Sequence, residues 1–324
     1  MSFSSQKGIP VAKREIEIIE YDRIEGLNMF MNTVDYRTPH QHGELELIWN
    51  LTGVLHVGSP GGDRALSPGS IILINREVIH EFRGEEGGAT FLCMQLDLTR
   101  FKSTRSSGQI LFDAFLPEQY LSGEEMTAVR RDILSLFETY LRAEPDYGIY
   151  CASMAGLILY RLLKAMPHHE ETLQEAGDRI QKSQRMQRLL DYVDRGYMHK
   201  IRLSDFAEKE GRSMGYLSHL IRDTLNQSFQ EYVTSVRLNA ACQMIHEDKG
   251  KLLDICYACG FSDYRYFVSA FRQRFSMTPE EYRNSPQAGR DRKRNHRSLH
   301  SLEHIYSPAE SLSLLESGAV CPDL

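Results

Sequence analysis

The sequence predicts a multidomain α+β protein, with an N-terminal antiparallel β-barrel, helices that follow it, and a C-terminal all-α domain. Three observations predict this. Residues 16–99 run as short apolar or alternating segments separated by turn signals; from residue 122 the apolar period becomes helical; and residues 203–225 recur in altered form at 252–275. At 324 residues the chain is long enough to bury a core in each of two domains. Hydrophobic content of 41% and charged content of 25% describe an ordinary globular protein. The first twenty residues hold no apolar signal segment, and the best apolar run, "CASMAGLILY", is too short to span a bilayer. Six cysteines without framework spacing suit a reducing compartment, so a cytoplasmic location with no membrane partner is expected.

The strands expected in order are "EIEIIEY", "LNMFMNTV", "LELIWNLTG", "VLHVG", "SIILIN", "VIHEF" and "TFLCMQLDL". "SPGGD", "SPGS" and "GEEGGA" read as turns between them. Many short strands at this spacing imply an antiparallel barrel or sandwich. A first helix follows over 122–143, where Ser122 and Glu125 form a capping-box pattern, and Pro145 ends it. A second, "YGIYCASMAGLILYRLLKAM", runs to Pro167. The pair could cover the barrel or pack on a second subunit. Residues 167–182 are polar without a strong period and read as a linker.

Charge divides the chain. Residues 1–177 carry 16 Lys/Arg against 25 Asp/Glu, whereas residues 178–297 carry 22 against 15. Only the later part is suited to meet a polyanion, although a merely solvated basic surface has the same composition.

The internal repeat lies in that basic part. "LSDFAEKEGRSMGYLSHLIRDTL" (203–225) aligns with "LLDICYACGFSDYRYFVSAFRQRF" (252–275). Ala207 corresponds to Cys256 and Gly211 to Gly260, 49 residues apart in each case. The small residue lets two helices cross closely, and the glycine can take positive φ where the first helix ends. Ser213, and Ser262 or Asp263, can cap the helix that follows. Leu217, Leu220 and Ile221, like Phe267, Ala270 and Phe271, hold that helix down at i, i+3, i+4 spacing. These are the requirements of a helix-turn-helix, whose second helix enters the DNA major groove. Cys256 and Cys259 form a CxxC, but Cys256 fills the small-residue slot and no second ligand pair accompanies them, so core packing is the expected role.

"DICYACGFSDYRYFVSAFRQRFSMTPEEYR" (254–283) resembles the signature of the AraC/XylS family of bacterial transcription regulators. It does so at Ile255, Gly260, Phe261, Phe267, Phe271, Arg272, Phe275, Thr278, Pro279, Tyr282 and Arg283. "YLSHLIRD", "FQEYV" and "VRLNAA" resemble that family's first helix-turn-helix and connecting helix. Ser276 and Asn226 stand where the family usually has Gly, and Ile221 where it usually has Phe. The resemblance implies two helix-turn-helix units bridged by a rigid helix at about 229–247, both recognition helices reaching successive major grooves about 34 Å apart. With the buried positions removed, Gly215, Ser218, His219 and Arg222 point outward from the first recognition helix, and Tyr264, Arg265, Val268 and Ser269 from the second. Arg265 is the leading base-edge candidate, with a phosphate contact as its competing role. His219 has base, phosphate and plain surface roles open to it. Arg222 and Arg272 suit phosphate contacts.

In the front domain, His40-x-His42-x3-Glu46 followed by Gly69-x5-Asn75-x-Glu77-x2-His80 resembles the two motifs of the cupin barrel. Val34 stands where the first motif usually has Gly, and Asn75 and Glu77 where the second usually has Pro and Gly. Residues two apart on a strand share a face, so His40, His42 and Glu46 are expected inside the barrel with His80. Trp49, of opposite parity, is expected under the helices.

Two functions then compete. In one, the four groups line a pocket for a small polar effector, sugar-like by family resemblance, that modulates DNA binding. In the other, they hold a metal in a cupin enzyme fused to a DNA-binding half. A simpler role also stands, in which His40 and His42 only satisfy strand ends or loop carbonyls. The regulator is the favoured reading because the barrel precedes a double helix-turn-helix. It requires no cofactor, although the four groups would suit a divalent ion, and it implies double-stranded DNA, RNA polymerase and a second copy of the chain as partners. The expected organisation is a cupin-like effector barrel (1–121), a helical pair for dimerisation and transmission (122–166), a linker (167–182), an AraC-type DNA-binding domain (183–286) and a tail (287–324). Within that tail, "RDRKRNHR" would add salt-sensitive phosphate affinity, and the Ser-rich end is expected to hold little fixed structure.

Overall fold

A computed structural model describes residues 23–318, apart from 61, 86, 102–109, 226, 247–249, 276 and 285–300. The strand expected at "EIEIIEY", the basic run 290–297, and the departures Asn226 and Ser276 all lie outside the described residues.

The front half is a nearly closed antiparallel barrel. Its strands are β1 (Leu27–His40), β2 (Leu45–Thr52), β3 (Leu55–Ser59), β4 (Gly62–Leu66), β5 (Ile71–Ile74), β6 (His80–Gly84) and β7 (Ala89–Leu96). They pair in the order β4-β3-β6-β1-β7-β2-β5. Strand β4 occupies "GDRAL", which the sequence left partly to a turn because polar residues interrupt its alternation. Strand parity sorts the side chains. Ile48, Ile72, Ile74, Phe82, Phe91 and Cys93 fill the barrel interior. Met29, Met31, Leu47, Trp49, Ile71, Leu73, Leu92 and Met94 face outward and are covered by helices, so Trp49 lies where its parity placed it.

Helix α1 (Gly123–Arg142) supplies the cover through Met126, Val129, Ile133, Leu136 and Phe137. It starts at the expected capping box, in which Glu125 N–H donates to Ser122 Oγ (3.3 Å) and Ser122 N–H to Glu125 Oε2 (2.8 Å). Helix α2 (Tyr147–Ala165) packs on α1 through Cys151, Ala155, Ile158, Leu159 and Leu162. Burying a Leu, Ile or Phe of this kind contributes about 1.5–3 kcal/mol.

The segment read as a linker is more ordered than expected. Strand β8 (Ile110–Phe112) pairs with β9 (His168–Glu170), and α3 (Leu173–Gly196) then begins at a Thr172–Glu175 capping box. The S/T-x-x-E pattern was present in the sequence; the absence of an apolar stripe hid the helix behind it.

The rest of the DNA-binding half consists of α4 (Leu203–Glu210), α5 (Met214–Leu225), α6 (Phe229–His246), α7 (Leu252–Ala258), α8 (Tyr264–Phe275) and α9 (Pro279–Asn284). Two cores share α6. Phe229, Tyr232, Val233 and Val236 join the core of α3, α4 and α5, while Leu238, Ala241, Cys242 and Ile245 join that of α7 and α8. An apolar surface on both flanks makes α6 a buried strut between the units. Cys256 and Cys259 are buried free thiols, and burial pushes Cys259 up to about 12, as packing rather than redox chemistry requires.

The tail corrects another expectation. Residues Leu302–Ile305 form β10, paired with β1, and Pro308–Glu316 form α10, which packs on α1 and β1. A further capping box, Ser307 with Glu310, and Pro308 in the first turn start this helix. Serine content masked both that pattern and the apolar positions of "LEHIY", whose partners are distant: the folded barrel and, for Leu302, the second helix-turn-helix core.

Gly260 has φ +84°, and a Cβ there would lie 2.8 Å from the Met198 backbone. Gly260→Ala should therefore lower the unfolding free energy by about 2 kcal/mol or more, read as a reduced denaturant midpoint with unchanged slope.

Candidate functional site

The barrel interior gathers the predicted polar residues. His40 at the end of β1 is the direct cross-strand partner of His80 at the start of β6. Each ring places Nδ1 2.8 Å from a backbone carbonyl, His40 on Thr38 and His80 on Val78. A carbonyl can only accept, so both Nδ1 atoms carry a proton and Nε2 is the nitrogen each ring has left for another partner. Glu46 reaches the same place from β2. Its Oε1 accepts from Gln95 Nε2 (2.9 Å) and Cys93 Sγ (3.0 Å). Its Oε2 lies 2.9 Å from His80 Nε2, outside hydrogen-bond geometry and without another partner, buried on every side.

Burial and the neighbouring His80 hold His40 well below the usual imidazole range, so it is neutral at pH 7. Burial alone would raise Glu46, but the imidazoles of His42 and His80 outweigh it and hold its carboxyl well below the usual range. One carboxylate oxygen and two imidazole nitrogens, from His40, Glu46 and His80, lie within 4.8 Å of one another. A neutral His40 imidazole, the Nε2 of His80, an ionised carboxylate and an orphaned buried oxygen fit a divalent transition ion. His42 stands outside this trio in the β1–β2 turn, with Nε2 3.4 Å from Glu46 Oε1 and Nδ1 3.5 Å from Glu44.

The two departures in the second cupin motif have structural work. Asn75 bonds both backbone groups of Phe112, donating to its oxygen (2.8 Å) and accepting from its nitrogen (3.0 Å). Glu77 takes φ +56°, the left-handed conformation that explains the usual glycine, and its carboxylate pairs with Arg179 of α3. The barrel thereby gains an ionic link to the helix that leads into the DNA-binding half.

Sequence reasoning missed Glu303 altogether. It projects from β10 into the barrel, where Arg37 Nη1 donates to one oxygen (2.9 Å) and Asn32 Nδ2 to the other (2.8 Å). Arg37 and His40 both face inward although three apart, because β1 is irregular between Arg37 and His40. The space left among Asn32, Arg37, His40, Glu46 and Glu303 is about 10 Å³, room for roughly one water. A much larger cavity of about 940 Å³ separates the barrel from the DNA-binding half.

In the helix-turn-helix units the local chemistry follows the repeat. Gly211 takes φ +61° at the end of α4, and Ser213 Oγ accepts from Tyr216 N–H (3.2 Å) at the start of α5. Asp263, rather than Ser262, caps α8 by accepting from Tyr266 N–H (2.8 Å). Gly215, Ser218, His219 and Arg222 are exposed on α5, as are Arg265, Ser269 and Arg272 on α8. Tyr264 and Val268 are half-buried against the second core, so less of each is offered outward than the helical count implied. Ser269 lines the large cavity together with Tyr266 and Gln273, while Arg274 stacks on the Tyr36 ring of the barrel at 4.4 Å.

Comparison with known proteins follows this division. The AraC-like ligand binding domain family matches residues 31–190, and the helix-turn-helix domain family matches residues 206–285. Over 258 residues the chain is 22% identical to an uncharacterized HTH-type transcriptional regulator of Bacillus subtilis, YdeC, covering 78% of this chain and 88% of that one. It is 25% identical over 270 residues to the HTH-type transcriptional activator RhaS of Pectobacterium carotovorum, covering 78% and 91%. A 111-residue match at 34% identity, covering 33% and 39%, is to the uncharacterized HTH-type transcriptional regulator YijO of Escherichia coli. These are regulators and not enzymes, and nothing among them favours the fused cupin enzyme. Among the described residues no helix is long and apolar enough to cross a membrane. With a ligand-binding barrel in front of two helix-turn-helix units built on one strut, the chain is a DNA-binding transcriptional regulator of the AraC family.

Proposed function

We propose that this regulator is switched in the cytoplasm by a small polar effector held inside the barrel, and that α5 and α8 read its DNA site. The observation that carries the reading is the pairing of a buried polar cluster in the barrel with exposed arginines on two helices braced by α6. A hydroxyl-rich, sugar-like molecule suits His40, His42, Glu46 and His80, each of which can accept or share a hydrogen bond. Arg265 reads a base edge, flanked by Ser269 and Val268 and by Tyr264 at the start of the helix. Arg222 and Arg272 contact phosphates, while Gly215, Ser218 and His219 form the contact face of the first unit. A bound effector acts on DNA by favouring one arrangement of the domains, and the regulator then acts on RNA polymerase at the promoter.

The protein works as a dimer through α2. Ile149 (73% exposed), Ser153, Leu157 and Tyr160 (61% exposed) recur at helical spacing on its open face, which presents an apolar stripe to a second copy. A divalent ion would be held by His40, Glu46 and His80. It would supply a Lewis-acid anchor for the effector's oxygens, with His42 beside it.

Three outcomes test the reading. Arg265→Ala should weaken binding to the cognate site by about 1–3 kcal/mol and relax preference at one base pair; an equal loss on scrambled DNA would make Arg265 a phosphate contact. Ile149→Arg combined with Tyr160→Arg should convert the dimer to a monomer in sedimentation while leaving the far-ultraviolet spectrum unchanged. Cobalt(II) titrated into chelator-treated protein should bind stoichiometrically, and His80→Ala should weaken that binding by at least about tenfold; saturable binding unaffected by His80→Ala places the ion elsewhere.

A further inference from the structure

The interior of the barrel already holds a ligand, supplied by the chain itself. The Glu303 carboxylate accepts from Arg37 on one oxygen and Asn32 on the other, and all three side chains are shut off from water. A guanidinium buried this deeply persists only with a partner, so the site is built for a carboxylate. The same contacts leave no room for a second guest, because the space beside them is about 10 Å³ and is bounded by His40 and Glu46. An effector can enter only where Glu303 and its strand now lie.

We propose that the effector is a small carboxylate that replaces Glu303 on Arg37 and Asn32, and that this exchange releases β10 from both domains at once. The proposal rests on the effector-responsive reading above and names the chemistry of the effector. Hydroxyls beside its carboxylate would meet His40 and Glu46, across the small cavity from Arg37.

Strand geometry supplies the transmission. Consecutive residues on a strand face opposite ways. Glu303 lies opposite Val34 and points into the barrel, whereas Leu302 lies opposite Tyr36 and points out. Leu302 is buried in the core of the second helix-turn-helix unit, with Phe267, Phe271 and Tyr282. Beside it Arg274 of α8 stacks on Tyr36, whose hydroxyl donates to Glu81 (3.1 Å). One short strand thus ties the state of the effector site to the seating of α8. While β10 is bound, one flank of α8 is held over the barrel; when Glu303 leaves, Leu302 leaves with it. Because Glu303 is tethered, it competes as an intramolecular ligand at high effective concentration, so the effector must add contacts that Glu303 does not make.

Propionate, the acid that matches the Glu303 side chain from Cβ outward, is the probe. The full chain is used after chelator treatment, so that no ion at His40, Glu46 and His80 reports instead. Propionate should raise the melting temperature of Glu303→Ala by about 3 °C or more, with a much smaller shift for the unaltered protein, and propionamide or matched sodium chloride should do neither. Glu303→Gln keeps the shape and removes the charge, and it should speed hydrogen exchange of residues 302–305 by about tenfold. This second variant carries the test if Glu303→Ala does not fold. Equal shifts by propionate and propionamide, equal shifts of variant and unaltered protein, or unchanged exchange in Glu303→Gln would each overturn the proposal. Binding of the unaltered protein to a mixed-sequence duplex at low salt is measured in parallel. If the protein binds DNA but the carboxylate effects are absent, this proposal alone fails. If the carboxylate effects are present without DNA binding, the DNA-binding reading fails and the carboxylate site stands.

Discussion

The contact between Arg37 and Glu303 ties the barrel interior to the second helix-turn-helix unit. Both charges are removed from water, which is tolerable only because each lies within 3 Å of the other and Asn32 completes the carboxylate's partners. The pair fixes β10 against β1. It brings Leu302 into the second helix-turn-helix core and fills the interior of the barrel beside the histidine cluster. The seating of Leu302 in that core and the small volume left inside the barrel are thus tied to one interaction between residues 266 apart in the chain.

Around that pair, the two domains are joined by several independent contacts. Glu77 and Arg179 link the β5–β6 turn to α3, and Gln41 accepts from Ser183 (2.7 Å) beside them. Ile79 enters the core of the first helix-turn-helix unit. On the far side of the barrel, Arg274 covers Tyr36. The Arg274–Tyr36 contact borders a cavity of about 940 Å³ between the barrel and α6 and α8, and an interface with such a gap allows two domains to change their relation without unfolding either core.

Legibility of the fold followed how local each signal was. Among the described residues, the alternating strands, the α1 capping box and each helix-turn-helix unit are patterns within one short segment, and the structure places them where the sequence did. Strand β4, the start of α3, β10 and α10 were obscured because their stabilising partners lie elsewhere. Leu302 has no local reason to be apolar, and its neighbours Phe267 and Tyr282 come from another domain. For the site, parity brought His40, Glu46 and His80 together, but it could not separate His42 from the trio, because a turn and not a strand carries His42.

What the sequence determined by itself is the family of the molecule: a polar-lined barrel, a helix pair and two copies of a helix-turn-helix, each specified by spacing within its own segment of the chain. What only the tertiary structure decided is the content of the barrel. An inward glutamate on a tail strand looks like any solvated acid until an irregular β1 turns Arg37 inside to meet it. Periodicity reports which face of a segment is buried; the partner that a buried charge finds depends on where distant segments are brought together, and no local pattern encodes that.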